Sequence, residues 1–128
     1  MIQSQRPLPG PEALAPIRTA LDTAQTVLVI EAHEALGQID PAPNRQSVVL
    51  TQKRMLSRTM IDTVRPDAVI GPLINTDWDI VDLAMTLESL GYSGDLYAVT
   101  RPLPRAELVV REVSAVCPGL KVHLLEIA

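Results

Sequence analysis

The sequence predicts a single α/β domain built on a five-stranded parallel β-sheet. The chain has 128 residues, which is enough for one hydrophobic core but short for two. Hydrophobic residues make up 47% of it, and five short segments are nearly continuous apolar runs, as expected for strands buried on both faces. Helical spacing separates most of these runs, which favours a parallel, doubly wound sheet. The predicted strands are 26–31, 47–51, 67–71, 96–100 and 122–127.

The start of the chain is predicted to be a flexible leader, followed by one domain over residues 12–128. Residues 1–11 contain three prolines and a glycine among polar side chains, a composition that sustains neither a helix nor a strand. A short helix should follow, because Leu14, Ile17 and Leu21 recur at three- and four-residue spacing.

Three amphipathic helices are predicted between the later strands, over residues 51–65, 76–90 and 104–116. Thr51 is the predicted N-cap of the first, and Thr76 with Asp79 resembles a capping box at the start of the second. Pro104 suits the first position of the third helix, and Gly91 ends the second in a left-handed conformation. The residues predicted to face the sheet are Leu56, Met60, Val64, Ile80, Leu83, Ala84, Leu87, Leu90, Ala106, Val109, Val110, Val113 and Val116.

The alternation of strands and helices breaks between the first and second strands. Residues 32–46 contain Pro41 and Pro43, so the first crossover helix should be short or absent, with at most one turn over residues 34–38. No helix is expected after the fifth strand. These features predict a flavodoxin-like three-layer sandwich with strand order 2-1-3-4-5, in which only one face of the sheet receives three helices.

The face of the sheet that does not receive the three helices must be buried by another part of the chain or by a partner. A parallel sheet is normally buried on both faces, and exposing a few hundred Å² of Val and Ile forgoes several kcal/mol at about 25 cal/mol per Å². Either residues 1–46 fold over this face, or a protein partner covers it. That partner would be a second copy, giving a homodimer, or another protein.

Two further surfaces suggest protein contacts. Trp78, Val81 and Met85 form a stripe beside the core stripe of the second helix, so they either pack against neighbouring helices or are exposed for docking. Arg54 and Arg58 lie on the outer face of the preceding helix, as a solvated surface or as a docking site for an acidic partner.

Composition excludes several classes of protein. The net charge of −4 argues against a nucleic-acid partner, because such binding depends on Lys and Arg neutralising phosphates. A single cysteine, Cys117, excludes an internal disulfide framework and a multi-cysteine zinc site, and it is expected to be a small buried hydrophobe. No apolar run is long enough for a membrane span, so we expect no membrane partner and a cytoplasmic location.

Ligands of doubly wound sheets bind at the carboxyl ends of the strands. The candidate ligand-binding residues there are Glu31, Glu34, Asp77, Thr100 and Arg101. Glu31 and Asp77 are also weak candidates for holding a divalent metal such as Mg²⁺; the alternative is that Asp77 only stabilises a helix N-terminus and that Glu34 is solvated. No serine has the context of a nucleophile elbow and no glycine-rich phosphate loop follows a strand, so neither a catalytic residue nor a cofactor is predicted.

Residues 26–100 also carry a pattern of shape and spacing found in a known signalling family. TVLVIEAHE matches a first strand, SVVLTQKRMLSRTMIDTVRPDAVIGPL a second strand, a helix and a third strand, and NTDWDIVDLAMTLESLGYSGDLYAVT the segment ending in a fourth strand. In these features the chain resembles a response-regulator receiver domain. The resemblance places Thr100 where that family has its switch hydroxyl.

The resemblance implies a receiver that has lost its phosphorylation chemistry. The family's phosphoacceptor aspartate ends strand three, where this sequence has Gly71 and Pro72. Its pair of metal-binding acids follows strand one, where Glu31 is followed by Ala32, and its catalytic lysine ends strand five, where residues 125–127 are LEI. Phosphoryl transfer needs a nucleophilic carboxylate, a bound divalent cation and a neutralising positive charge, so the resemblance implies a pseudo-receiver.

The sequence therefore predicts a non-enzymatic regulatory or signalling module that acts through protein–protein contacts. The alternative is a domain that binds a small ligand or a divalent metal at the carboxyl ends of the strands. A small hydrolase or phosphotransfer enzyme ranks last, because no nucleophile is paired with a base.

Overall fold

A computed structural model describes residues 24–38 and 47–127, and it contains a five-stranded, all-parallel sheet in the order β2-β1-β3-β4-β5. The strands are β1 Thr26–Ile30, β2 Ser47–Thr51, β3 Ala68–Pro72, β4 Asp95–Thr100 and β5 Lys121–Glu126. The helices are α1 Arg58–Val64, α2 Ile80–Ser89 and α3 Ala106–Val116, with short 3₁₀ helices at His33–Gln38 and Lys53–Met55. The predicted flavodoxin-like α/β fold and its strand order are confirmed. In the described part of the chain, no helix has the length and hydrophobicity needed to cross a lipid bilayer.

One face of the sheet packs against the helices to form the first core. Leu28 and Ile30 of β1 point to this face, and α2 contributes Leu83 and Leu87, all without exposed surface. The α3 helix packs beside α2 and adds Val113. The predicted inward stripe of α2 is therefore confirmed, because apolar residues at three- and four-residue spacing share one face of a helix.

The other face forms a second core and is not exposed. Val27, Val29, Ile70 and Tyr97 have no exposed surface within the single chain. The described residues that join them there are Ala24, Ala32, Ala35, Ala68, Val99, Leu125 and Ile127. The predicted leader and N-terminal helix lie outside the described residues. Because Val and Ile on this face are already buried, the expected bare surface gives no reason by itself for a second copy.

The helix following β2 begins seven residues later than predicted. Thr51 belongs to β2 rather than capping a helix, and α1 begins at Arg58, after the Ser57 side chain accepts a hydrogen bond from the Met60 N–H at 3.0 Å. Ser57 is a strong N-cap residue, and its use leaves residues 52–57 outside α1, with the short 3₁₀ helix at Lys53–Met55 among them. The predicted long helix was therefore wrong in its first half.

The starts of α2 and α3 also differ from the prediction. A capping box at α2 exists, but Asp79 and Asp82 form it instead of Thr76 and Asp79. The α3 helix begins after Arg105, which has a φ of 59°, so Pro104 lies in the preceding turn. At the far end of α3, Val116 is 47% exposed rather than inward-facing. The chain runs on past Val116 to Cys117, which is buried as predicted.

The short turn predicted after β1 is confirmed as a 3₁₀ helix over His33–Gln38. Residues 39–46 of the predicted irregular crossover lie outside the described part of the chain. Past α2, Gly91 has the predicted left-handed conformation, with a φ of 92°. A glycine is favoured there because it has no Cβ to clash in that conformation.

Candidate functional site

The carboxyl ends of the strands are joined through one acidic side chain, Glu31. It follows β1 with a φ of 51°, and its N–H donates to the Thr51 carbonyl at 3.1 Å. Its Oε2 accepts from the Lys53 N–H at 2.9 Å, and its Oε1 accepts from Nδ2 of Asn75 at 3.3 Å. Glu31 thus ties the end of β1 to the segments that follow β2 and β3.

The loop between β3 and α2 places Asp77 and Trp78 beside this carboxylate. The Leu73 carbonyl accepts from the Ile80 N–H at 2.9 Å, and the Asn75 N–H donates to the Trp78 carbonyl at 2.8 Å. These bonds make residues 73–80 a tight antiparallel turn. Both bonds are made within the turn itself.

An acidic and basic cleft of about 390 Å³ lies over the first core at this end of the sheet, and we call it the polar cleft. Its lining comprises Glu31, Gln52, Lys53, Arg54, Asp77 and Trp78. The ammonium group of Lys53 lies 5.9 Å from the ring centroid of Trp78, within cation–π range. Acidic and basic side chains therefore line the same cleft as an indole ring.

The weak metal candidates Glu31 and Asp77 both line the polar cleft. Both carboxylate oxygens of Glu31 already accept hydrogen bonds from protein N–H groups, which orient them toward the chain. Within residues 24–38 and 47–127, no group of three or more His, Cys, Asp or Glu side chains is placed to hold a metal ion. The geometry favours a structural role for Glu31, and Asp77 is exposed beside it.

The other candidate ligand residues lie in a different cleft, on the side of the second core. This apolar cleft has a volume of about 270 Å³ and is lined by Glu34, Pro72, Ile74, Val99, Thr100, Arg101, Leu103 and Ile127. The hydroxyl of Thr100 donates to the Arg101 carbonyl at 2.8 Å. Thr100 therefore lines a cleft separate from the polar cleft of Glu31 and Asp77.

At the end of β3, where the resemblance to a receiver places the phosphoacceptor, Gly71 packs closely against α2. Gly71 is buried, and a Cβ built on it would overlap with Cδ2 of Leu83 from α2. Pro72 follows it and is half-buried against the apolar cleft. After β1, Ala32 is fully buried beside Glu31. The sheet and α2 therefore pack closely at Gly71.

The predicted apolar docking stripe is mostly packed. Trp78 precedes α2 instead of lying within it, and both Trp78 and Val81 are half-buried against the first core. Met85, at 50% exposure, is the member that faces solvent. The interpretation of a helix buried on two sides therefore fits better than a continuous docking face.

The predicted arginine face is also divided. The Nε of Arg54 donates to Gln52 at 2.6 Å at the polar cleft. The Nη2 of Arg58 instead donates to the Ser89 carbonyl at 3.0 Å, at the carboxyl end of α2. Arg58 joins two helices, so it does not form one surface with Arg54.

Lys53 and Leu103 line the two clefts, although neither is among the residues that the sequence pattern predicts there. The sequence pattern places Lys53 inside the predicted helix over residues 51–65, but that helix begins only at Arg58. Lys53 instead lies just after the end of β2. Leu103, which is 44% exposed, lies three residues past the end of β4 in a proline-rich turn. The sequence feature that could have identified both residues is their position just past a strand, because residues that follow the strands gather at one end of a parallel sheet.

At the opposite end of the sheet, a shallow hollow of about 540 Å³ lies between α1 and the turn that follows α2. Tyr92 forms part of its wall, and its hydroxyl donates to the Asp95 carbonyl at 2.6 Å. Burial raises the pKa of the Tyr92 phenol, with smaller contributions from the negative charges of Asp95 and Asp67. Tyr92 therefore stays neutral and acts as a hydrogen-bond donor in the fold.

Comparison with known proteins assigns no family. No protein-family model matches the sequence, and neither the curated proteins nor the solved structures give a significant match. The functional conclusion therefore depends on the chain's own residues and their geometry.

Proposed function

We propose that this protein is a non-enzymatic regulatory module, a receiver-like domain that acts through protein–protein contacts and is not phosphorylated. The observation that carries the proposal is the packing of Gly71 against Leu83 at the end of β3. A phosphoacceptor carboxylate needs an accessible position at that point and a cation beside it. Neither Gly71 nor Pro72 offers a nucleophile.

The use of Glu31 supports the same proposal. In a phosphorylatable site, an acid after β1 would be available to a divalent cation. Here its two oxygens accept hydrogen bonds from Lys53 and Asn75. Glu31 therefore stabilises the strand ends. This role is expected in a domain that acts by binding proteins at its surface and carries out no reaction.

The decisive experiment is incubation of the purified chain with acetyl phosphate and Mg²⁺, followed by intact-mass measurement. We expect no covalent phosphoryl adduct on the chain. A receiver domain that retains its aspartate, treated in parallel, provides the positive control. A phosphoryl adduct mapped to any Asp or Glu, lost in the corresponding amide variant, would overturn the proposal.

A second candidate function is binding of a small ligand in the apolar cleft. It is favoured by the exposure of Ile74, at 68%, and of Leu103 beside the buried Val99, with the charged side chains of Glu34 and Arg101 at the same cleft. An apolar hollow with a few polar groups is the usual form of a ligand site. A panel of short-chain fatty acids tests it by NMR. Shifts centred on Ile74 and Leu103 would support ligand binding, and their absence would remove this candidate.

A further inference from the structure

The two edge strands of the sheet differ in the charge and polarity of their side chains. The outer strand β5 carries Lys121, His123 and Glu126, and charged side chains on an edge oppose pairing with another strand. The opposite edge strand, β2, has the sequence SVVLT, without a charge or a proline. Its Val48 and Leu50 are 37% and 49% exposed. An uncharged, apolar edge is the kind that pairs with a further strand.

The backbone of β2 is satisfied on one side only. The Ser47 N–H donates to the Gln25 carbonyl, and the Thr51 carbonyl accepts from the Glu31 N–H. Backbone groups alternate in direction along a strand, so Ser47, Val49 and Thr51 face β1, and the N–H and C=O groups of Val48 and Leu50 point outward. Within the described part of the chain, no hydrogen bond reaches these outward groups.

We propose that the outer edge of β2 pairs antiparallel with β2 of a second copy, about a two-fold axis that passes beside Val49. In this register Val48 lies opposite Leu50 of the second copy, and each such pair exchanges two backbone hydrogen bonds. Both pairs satisfy the outward groups and place apolar side chains against each other on one face. The two five-stranded sheets then form one continuous sheet.

A second copy fits this edge better than an unrelated partner. A two-fold axis needs a surface that is complementary to itself, and β2 meets this because Val48 and Leu50 exchange places about Val49. No like charges are brought together, since β2 carries none. A five-residue strand buries less than the roughly 800 Å² per partner of a standard interface, so we expect a reversible dimer with micromolar affinity.

This proposal is independent of the proposed function, because the pairing of β2 does not depend on whether the chain is phosphorylated. The first test is sedimentation equilibrium of the wild-type chain and of the L50K variant over the micromolar range. Lysine at this exposed position places like charges across the two-fold axis. We expect wild type to move from monomer towards dimer with concentration, and L50K to associate at least tenfold more weakly.

The matched control is M85K, because Met85 is 50% exposed and lies on α2 instead of β2. It should associate like wild type, and circular dichroism should show that both variants are folded. A wild-type chain that stays monomeric at every concentration, or an M85K variant weakened as much as L50K, would overturn the proposal.

The second test fixes the register through disulfide formation. Opposed residues of a non-hydrogen-bonded antiparallel pair have Cα atoms about 4.5 Å apart, within disulfide range, so V49C should form a covalent dimer under mild oxidation. V48C should not, because its counterpart in the second copy lies diagonally, about 7–8 Å away. Cys117 is buried and leaves the background low. Failure of V49C to crosslink, or stronger crosslinking of V48C, would contradict the two-fold pairing.

Discussion

At the residue scale, Glu31 and Tyr92 show how polar groups organise the two ends of the sheet. Glu31 accepts hydrogen bonds from segments following β2 and β3, and Tyr92 donates to the first residue of β4. A buried or half-buried polar group stabilises the fold only when it is paired, because leaving it unpaired costs about 1–3 kcal/mol. Both residues therefore fix the positions of loops at the ends of the sheet.

The raised pKa of Tyr92 predicts a loss of stability at alkaline pH. Burial, with the nearby carboxylates of Asp95 and Asp67, raises the folded-state pKa above the ordinary value of about 10. The contribution to stability is therefore fully present below pH 10 and is lost as pH rises further, because the unfolded chain releases the proton first. At pH 7, the free energy of unfolding of Y92F should be about 1 kcal/mol lower than that of wild type, because the variant lacks the hydrogen bond.

Urea unfolding of wild type and Y92F between pH 8 and pH 11 measures this effect. The free energy of unfolding of wild type should fall more steeply above pH 10 than that of Y92F, so the two curves converge. Curves that stay parallel over this range would show that Tyr92 is not the source of the alkaline loss.

At the element scale, α2 is held at both of its ends. The side chain of Asp79 accepts from the Asp82 N–H at 3.0 Å, and the side chain of Asp82 accepts from the Asp79 N–H at 3.1 Å. At the other end, Arg58 donates to the Ser89 carbonyl, and Gly91 ends the helix. Free N–H and C=O groups at helix ends are costly, so these caps define the length of α2.

Removing the N-cap of α2 should measurably destabilise the protein. We expect D79A to lower the free energy of unfolding by about 1 kcal/mol, the usual cost of losing an Asp N-cap. T76A is the matched control: Thr76 is exposed outside the helix, so the change should stay within about 0.5 kcal/mol. Chemical unfolding of the two variants shows whether Asp79 or Thr76 caps the helix. An equal loss in the free energy of unfolding for D79A and T76A would contradict the assignment of Asp79 as the N-cap.

The elements were predictable where a repeating pattern reached the core. The stripe of Ile80, Leu83 and Leu87 marks α2 in the sequence as clearly as in the structure. Its start was missed because Thr76 and Asp79 show the same cap spacing as Asp79 and Asp82. What selects the second pair is the turn in which Ile74 bridges to Asp79, a contact that local spacing does not encode.

At the scale of the whole molecule, the sheet itself divides the candidate site. The sequence predicts that Glu31, Glu34, Asp77 and Thr100 lie at the carboxyl ends of the strands, and the structure places them there. The sequence does not predict which face of the sheet each residue lies on, because that depends on the direction in which its loop leaves the strand. The structure places Glu31 and Asp77 at the polar cleft, and Glu34 and Thr100 at the apolar cleft.

The order of strands predicts how backbone protection should vary across the molecule. The β3 strand lies between β1 and β4 and is buried on both faces, so its amides should exchange only on global unfolding. In the edge strand β2, the amide of Val49 faces β1 and that of Leu50 faces outward.

Hydrogen exchange followed by NMR on the dilute chain measures this order directly. The Ile70 amide should exchange slowest, Val49 should be protected to an intermediate degree, and Leu50 should exchange at close to the rate of an unstructured amide. The comparison of Val49 with Leu50 is internally controlled, because the two are neighbours in one strand. Equal protection of both amides in the dilute chain would show that the outer side of β2 is already bonded within one copy, and the sheet would have no open edge there.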